Sequence, residues 1–207
     1  MTLYELIKNH QHRDRLKEIV QVFSSQGFGY LISRIKLSGH LPFTQRLKIR
    51  IAKEQQTSAA VRLRLAFEQL GPTFIKFGQL LSLRPDLLPA EFVAEFEKMQ
   101  DKVPIIPFSK IQPIIEKELH KPLKKIFSSF NQEPVASASI AQVYKAKVGK
   151  EIVAVKVQRP GIKELIKVDI ELMYKIAELL EKYAPELHQY HLRLLIHEFE
   201  RWTIKEL

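Results

Sequence analysis

Two hydrophobic periods divide this chain. Residues 1–70 mix apolar and basic positions at helical spacing, as in "YLISRIKL", with a polar break at "SGHLPFT". Thr57 or Ser58 is placed to cap "AAVRLRLAFEQL", which Gly71 and Pro72 end. Pro72 in turn suits the first turn of "PTFIKFGQLLSL". "RPDLLP" reads as a turn, "AEFVAEFEKMQ" as a further helix and "DKVPIIP" as an extended connector. Ser109 and Gln112 have the spacing of a capping box for "KIQPIIEKEL", with Pro113 near its first turn.

Near residue 130 the period falls to two. "QVYKAKV" puts Tyr144, Ala146 and Val148 on one face and Val143, Lys145 and Lys147 on the other. "GK" is a tight turn, and "EIVAVKVQ" is a second β-rich run, so the pair predicts a hairpin. In the second strand Val153, Val155 and Val157 share one face, while Ile152, Ala154 and Lys156 share the other. Beyond "RPG" two helices follow, over about 162–182 and 189–207. The fold class is α+β.

With 45% apolar residues and interspersed charge, the 207 residues predict a folded chain. The absence of cysteine excludes disulfides and thiolate chemistry. The first residues lack the apolar core and cleavage site of a secretory signal, and no apolar run approaches the ~18 residues of a membrane span. The net charge of +10 is uneven. Residues 1–70 hold 12 Lys or Arg against 5 Asp or Glu, the remainder 21 against 18. A basic N-terminal third predicts an anionic partner, lipid headgroups or nucleic acid, a solvated helix face being the plain alternative. Nucleic acid is disfavoured, because residues 1–70 offer neither an aromatic platform nor a recognition motif.

The candidate chemistry sits around the hairpin. From Ala136, "ASASIAQV" keeps the G-x-G-x-x-G-x-V frame of a phosphate-cradling loop, with alanine at all three glycine positions. After it come a strand, a tight turn and "VAVK", the order of a protein-kinase small lobe, in which Lys156 would reach the nucleotide's phosphates. Val143 and Ala154 would face one another across the base. Lys156 taken alone could equally be an edge-strand lysine, but the order favours the nucleotide. An alanine at positive φ costs ~1–2 kcal/mol, so such a loop would be stiffer than a glycine loop, with Ser137 and Ser139 adding hydroxyl donors.

"LGPTFIKFGQLLSLRPDLLP", "PVASASIAQVYKA" and "VAVKVQRPGI" together resemble the UbiB-type (aarF-like) atypical kinases, from about residue 69 onward. The resemblance implies a helical extension followed by a kinase-like small lobe. Its divisions are a basic extension at 1–70, a helical segment at 71–128 packing on the cleft, and the small lobe at 129–207. It implies that the alanine-rich loop Ala136, Ser137, Ala138, Ser139, Ile140 and Ala141 binds ATP or ADP together with Val143, Ala154, Lys156 and Gln79. Ser137 departs from the family, which usually has alanine there. Lys76-Phe77-Gly78-Gln79 matches the family's Lys-x-Gly-Gln, with Lys76 and Gln79 on one helix face and Gly78 allowing close approach. Glu206 matches the first of two family glutamates spaced six apart. Catalytic roles are thus implied for Lys156, Lys76 and Glu206. Leu195, Phe199, Trp202 and Glu206 fall on one helical stripe, so Glu206 is expected to be buried and to need Lys76 or Lys156 as its cation. Asp169 interrupts another apolar stripe as a buried hydrogen-bonding group.

The resemblance further implies an atypical kinase or ATPase using Mg²⁺-nucleotide in isoprenoid-lipid or quinone metabolism. It would work beside other quinone-biosynthesis proteins, cytoplasmic and peripheral to the inner membrane surface. Only 51 residues follow Lys156, too few for a large lobe with its metal-binding residues. The gene is therefore expected to continue past Leu207, and this chain to bind nucleotide weakly and turn over none. A non-catalytic kinase-like scaffold or membrane adaptor is the alternative. "HRDRL" at His12 to Leu16 imitates a catalytic loop but precedes the lysine strand. "HEFER" lacks a second histidine, and His188, His191 and His197 lack metal-ligand spacing.

Overall fold

The computed structural model describes residue 5, residues 8–35, residue 37, residues 57–99 and residues 104–207; "SGHLPFT" lies outside them. The chain forms two compact units, residues 1–99 with 165–207, and residues 100–164. This division does not follow the boundaries drawn at 70 and 128, because the last two long helices join the N-terminal ones.

In the first unit α1 (His10–Phe23) starts on Asn9, whose side chain accepts the Gln11 N–H. A π-type stretch, Ser24–Phe28, leads into α2 (Gly29–Arg34). Helix α3 (Ala59–Leu70) is capped by Ser58, which accepts from the Val61 N–H at 3.3 Å. It stops at Gly71, whose φ of 89° a side chain would disfavour. Pro72 opens α4 (Pro72–Ser82), as its fixed φ and absent N–H suit. A turn and α5 (Ala90–Phe96) follow, α5 ending earlier than "AEFVAEFEKMQ" suggests. Phe67 is the hub of this core, stacked on Phe96 at 5.4 Å and within 6 Å of Phe74 and Phe77.

In the second unit α6 (Phe108–Leu119) follows Pro107, and α7 is a single turn, Leu123–Ile126. The expected capping box does not form. Pro107 takes the cap position and Ser109 lies inside the helix, while Gln112 donates to Glu116 at 3.0 Å. Pro113 therefore falls in the second turn. The sheet comprises β1 (Ser129–Phe130), β2 (Ala136–Ser137), β3 (Ala141–Val148) and β4 (Glu151–Gln158). Strand β3 is central, with β4 on one edge and β1 and β2 along the other, all antiparallel. Gly149 opens the two-residue hairpin turn at φ 60°. Tyr144, Ala146 and Val157 pack with Ile111, Ile115, Leu123 and Phe127, so α6 and α7 cover one face of the sheet.

Helix α8 (Ile162–Tyr183) begins in the second unit and continues in the first, followed by a 3₁₀ segment (Pro185–Tyr190) and α9 (Leu192–Glu206). Asp169 on α8 is fully buried, and both its oxygens accept from Arg15 of α1, at 2.6 and 3.0 Å. Arg15 also bonds the Leu70 carbonyl at 2.7 Å, and His12 meets Glu171 at 2.7 Å. "HRDRL" is thus a structural anchor. Burial works against the Arg15 charge, but Asp169 and Glu18 outweigh it and hold the guanidinium above its ordinary value.

Candidate functional site: an alanine-rich loop, an open sheet face and a lysine cavity

The hairpin separates its two faces as the period of two requires. Ile152, Ala154 and Lys156 are exposed, as are Lys145 and Lys147, so the face carrying Lys156 is open. Val143 and Ala154 share that face but are not opposite one another. Val143 pairs with Lys156 and Ala154 with Lys145, placing Val143 and Ala154 on a diagonal.

Beside this face the loop is a hairpin of its own. Ala136 pairs with Val143, Ser137 with Gln142, and the Ala138 N–H donates to the Ala141 carbonyl at 2.9 Å. No residue from Ala136 to Ala141 has a positive φ. The alanines therefore carry no left-handed strain, and the frame closes without what glycine alone supplies. Ser139, Ile140 and Ala141 are buried, Ala136 is exposed, and Ser137 and Ala138 are half-buried.

Two residues with no role assigned from the sequence hold this region. Gln142 is fully buried; its Oε1 accepts the Ile106 N–H at 2.6 Å and its Nε2 donates to the Tyr144 hydroxyl at 2.7 Å, tying the connector to β3. Arg159, directly after β4, bonds the loop itself. A charged residue at the end of a β-rich run, followed by Pro, was the signal available.

Lys76, Gln79 and Glu206 belong to the first unit. All three line one cavity of about 650 Å³, together with Arg84, Glu198 and Trp202. Lys76 makes an ion pair with Glu206, so of the two cations considered it is a partner of this carboxylate. Arg84, which also lines the cavity, pairs with Glu198 and, at 2.9 Å, with Asp86. Those pairs, the Asp86 hydrogen bond foremost, raise the guanidinium above its ordinary value. Glu206 does not continue a buried stripe. Leu195, Ile196, Phe199 and Thr203 form the buried face of α9, leaving Trp202 71% exposed and Glu206 exposed. The packed face is rotated from the expected one by roughly half a residue step.

Gly78 has a packing reason. A Cβ there would collide with the Met99 sulfur and lie 3.2 Å from the Phe67 ring. The close approach is by side chains rather than backbone. Gly78→Val is expected to cost about 2–3 kcal/mol through overpacking and β-branching, read as a lower midpoint in chemical denaturation. Gly78→Ala should cost less, because higher helix propensity offsets part of the clash.

Two of the sequence's dismissed sites are placed by their neighbours: the His188 Nε2 contacts the Glu181 carbonyl, and His197 lies 3.4 Å from the Tyr174 hydroxyl. The Tyr174 hydroxyl, desolvated and donating to Glu200 at 2.8 Å, is pushed up to about 12.

A four-stranded antiparallel sheet with helices, an alanine-framed loop and a lysine on the open face define a kinase-like small lobe. Residues 98–207 match the ABC1 atypical kinase-like domain, and the chain belongs to that family, with UbiB proteins among its relatives. A protein named probable protein kinase UbiB from Marinobacter nauticus is 47% identical over 140 residues, 67% of this chain and 25% of that one. The one from Cellvibrio japonicus is 40% identical over 200 residues, 93% of this chain and 35% of that one. Activity of BC1 complex kinase 3 from Arabidopsis thaliana, chloroplastic, is 47% identical over 127 residues, 60% of this chain and 18% of that one. The chain thus spans about a third or less of these relatives' lengths. The solved complex of Rv3197 with erythromycin from Mycobacterium tuberculosis is 35% identical, with a TM-score of 0.39 over 59% of this chain and 32% of that one.

Proposed function

We propose that this chain supplies the loop-and-lysine part of a UbiB-type nucleotide site, binding ATP or ADP for an atypical kinase or ATPase that serves isoprenoid-lipid or ubiquinone biosynthesis at a membrane surface. The observation that carries the reading is the open sheet face. Val143, Ala154 and Lys156 lie on it together, beside a loop that keeps the phosphate-loop frame without backbone strain. In this reading Ala154, having no bulk, admits the base; Lys156 provides positive charge to the α- and β-phosphates; and Ala136 to Ala141 cover them. Lys76, Gln79 and Glu206 retain the catalytic and binding roles that the resemblance implies. Among the described residues no group of three or more His, Asp or Glu could hold a metal ion, so no step through Mg²⁺ is derived from them.

Calorimetric titration with ATP and with ADP tests the reading. Wild-type chain should bind weakly, and Lys156→Ala should weaken binding about tenfold by removing a charge-assisted contact. Equal affinity of wild type and Lys156→Ala would overturn it in favour of the scaffold.

The membrane part rests on charge. Among the described basic residues of 1–70, Arg13, Arg15, Lys17, Arg34 and Arg64 sit in ion pairs. Arg62 bonds the Thr57 carbonyl and lies over the Phe28 ring. The run "RLKIRIAK", outside the described residues, carries four basic residues, Arg46, Lys48, Arg50 and Lys53, and in this reading it serves as the lipid contact. Replacing these four by Gln should remove most binding to anionic vesicles, at about 1 kcal/mol per basic residue, and leave neutral vesicles unaffected. Equal sedimentation of wild type with neutral and anionic vesicles would exclude electrostatic attachment. No helix among the described residues is long and apolar enough to cross a membrane.

A further inference from the structure

Arg159 is 8% exposed, and its donors go to the loop and the connector. Its Nε donates to the Ala138 carbonyl at 3.0 Å, its Nη2 to the Ser137 hydroxyl at 2.8 Å and its Nη1 to the Pro104 carbonyl at 3.0 Å. Its backbone N–H donates to the Ile140 carbonyl at 2.9 Å. One residue thus grips three positions of the loop, 137, 138 and 140, and joins them to the segment that leads into α6.

A buried guanidinium is a costly way to fill space, and burial lowers its pKa as that cost requires. What arginine offers over an apolar residue is a planar fork of donors at fixed angles. Here the fork meets two carbonyls and a hydroxyl. A trans peptide sets a carbonyl and the following N–H on opposite sides of the chain. Holding the Ala138 carbonyl on Arg159 therefore also directs the Ser139 N–H away from Arg159. The loop's peptide planes are oriented from one side by one side chain.

We propose that Arg159 is the positioning residue of the alanine-rich loop. By rigid hydrogen bonding it fixes the shape of a loop that uses no positive φ, and so it sets how strongly the loop discriminates between a nucleoside triphosphate and a diphosphate. This rests on the nucleotide reading of Ala136 to Ala141.

Two variants of the whole chain test it, each titrated with ATP and with ADP and followed by amide hydrogen exchange. Arg159→Lys keeps the charge and loses the fork. It should weaken both nucleotides about tenfold, change the ATP-to-ADP affinity ratio at least about twofold, and speed exchange at Ala138 and Ser139 about tenfold. The β3–β4 ladder at Ala146 and Val153 should exchange as in wild type. Ser137→Ala removes one acceptor and should move the same quantities in the same direction by about threefold; it carries the test if Arg159→Lys does not fold. Wild-type affinities and exchange in both variants would overturn the proposal, and affinity loss at an unchanged ratio would overturn its selectivity part. If wild type binds neither nucleotide, the nucleotide reading fails, and the exchange rates alone decide whether Arg159 sets the loop's shape.

Discussion

Asp169→Ala should destabilise the first unit by about 3–5 kcal/mol, because it strands a buried guanidinium. Asp169 is fully buried and holds Arg15 through both carboxylate oxygens. Its loss removes the counter-charge but not the desolvation that Arg15 has already undergone. Arg15 keeps Leu70 and Glu18 as partners, so the loss should fall toward the lower end of that range. Chemical denaturation of the variant beside wild type measures the difference. The double variant Arg15→Leu with Asp169→Leu should recover much of it, since a buried pair is often matched by an apolar pair of similar volume. A loss below about 1 kcal/mol for Asp169→Ala would mean that the guanidinium finds water instead.

Asp169 also shows where the sequence stops being informative. An acidic residue on an apolar helix stripe signals a buried partner, but the partner is 154 residues away in "HRDRL", a motif that imitates a catalytic loop. Local periodicity carries no record of such pairings. The hairpin was legible for the opposite reason. Its alternation is a property of neighbouring residues, and the register from Ala141 with Gln158 to Val148 with Glu151 follows from the position of a two-residue turn.

The site was legible in part, and the division has the same cause. The loop frame and Lys156 follow one another along the chain, so order alone located them; the register then placed Val143 opposite Lys156 rather than Ala154. Lys76 and Gln79, at i and i+3, do line one cavity. For α9 the spacing of Leu195, Phe199, Trp202 and Glu206 is a true helical face, yet the packed face is the adjacent one, through Ile196 and Thr203. A helical wheel orders residues around an axis without fixing which direction is inward. Arg159 needed the fold, because its acceptors are mostly carbonyls, and any residue has one.

Phe67→Ala is expected to cost about 3–5 kcal/mol, the range for deleting a well-packed core aromatic. Phe67 is 5% exposed and contacts the rings of Phe23, Phe74, Phe77 and Phe96. Removing its ring opens a void that four other rings line, and aromatic rings relax poorly into space of that shape. The consequence should reach the cavity. Phe77 meets Phe199 at 5.2 Å, and this pair lies in α4 and α9, the helices that carry Lys76 and Glu206. Trp202 lines that cavity and is the chain's single tryptophan, so its emission reports on α9 without labelling. In Phe67→Ala the Trp202 signal should change at lower denaturant than in wild type, together with the loss of helical circular dichroism. Glu206→Gln, which removes only a half-exposed ion pair, should shift the midpoint by no more than the equivalent of about 1 kcal/mol. If Phe67→Ala moves the helical transition but leaves the Trp202 transition in place, α9 is held independently of the Phe67 cluster, and the Lys76 cavity is not built on that core.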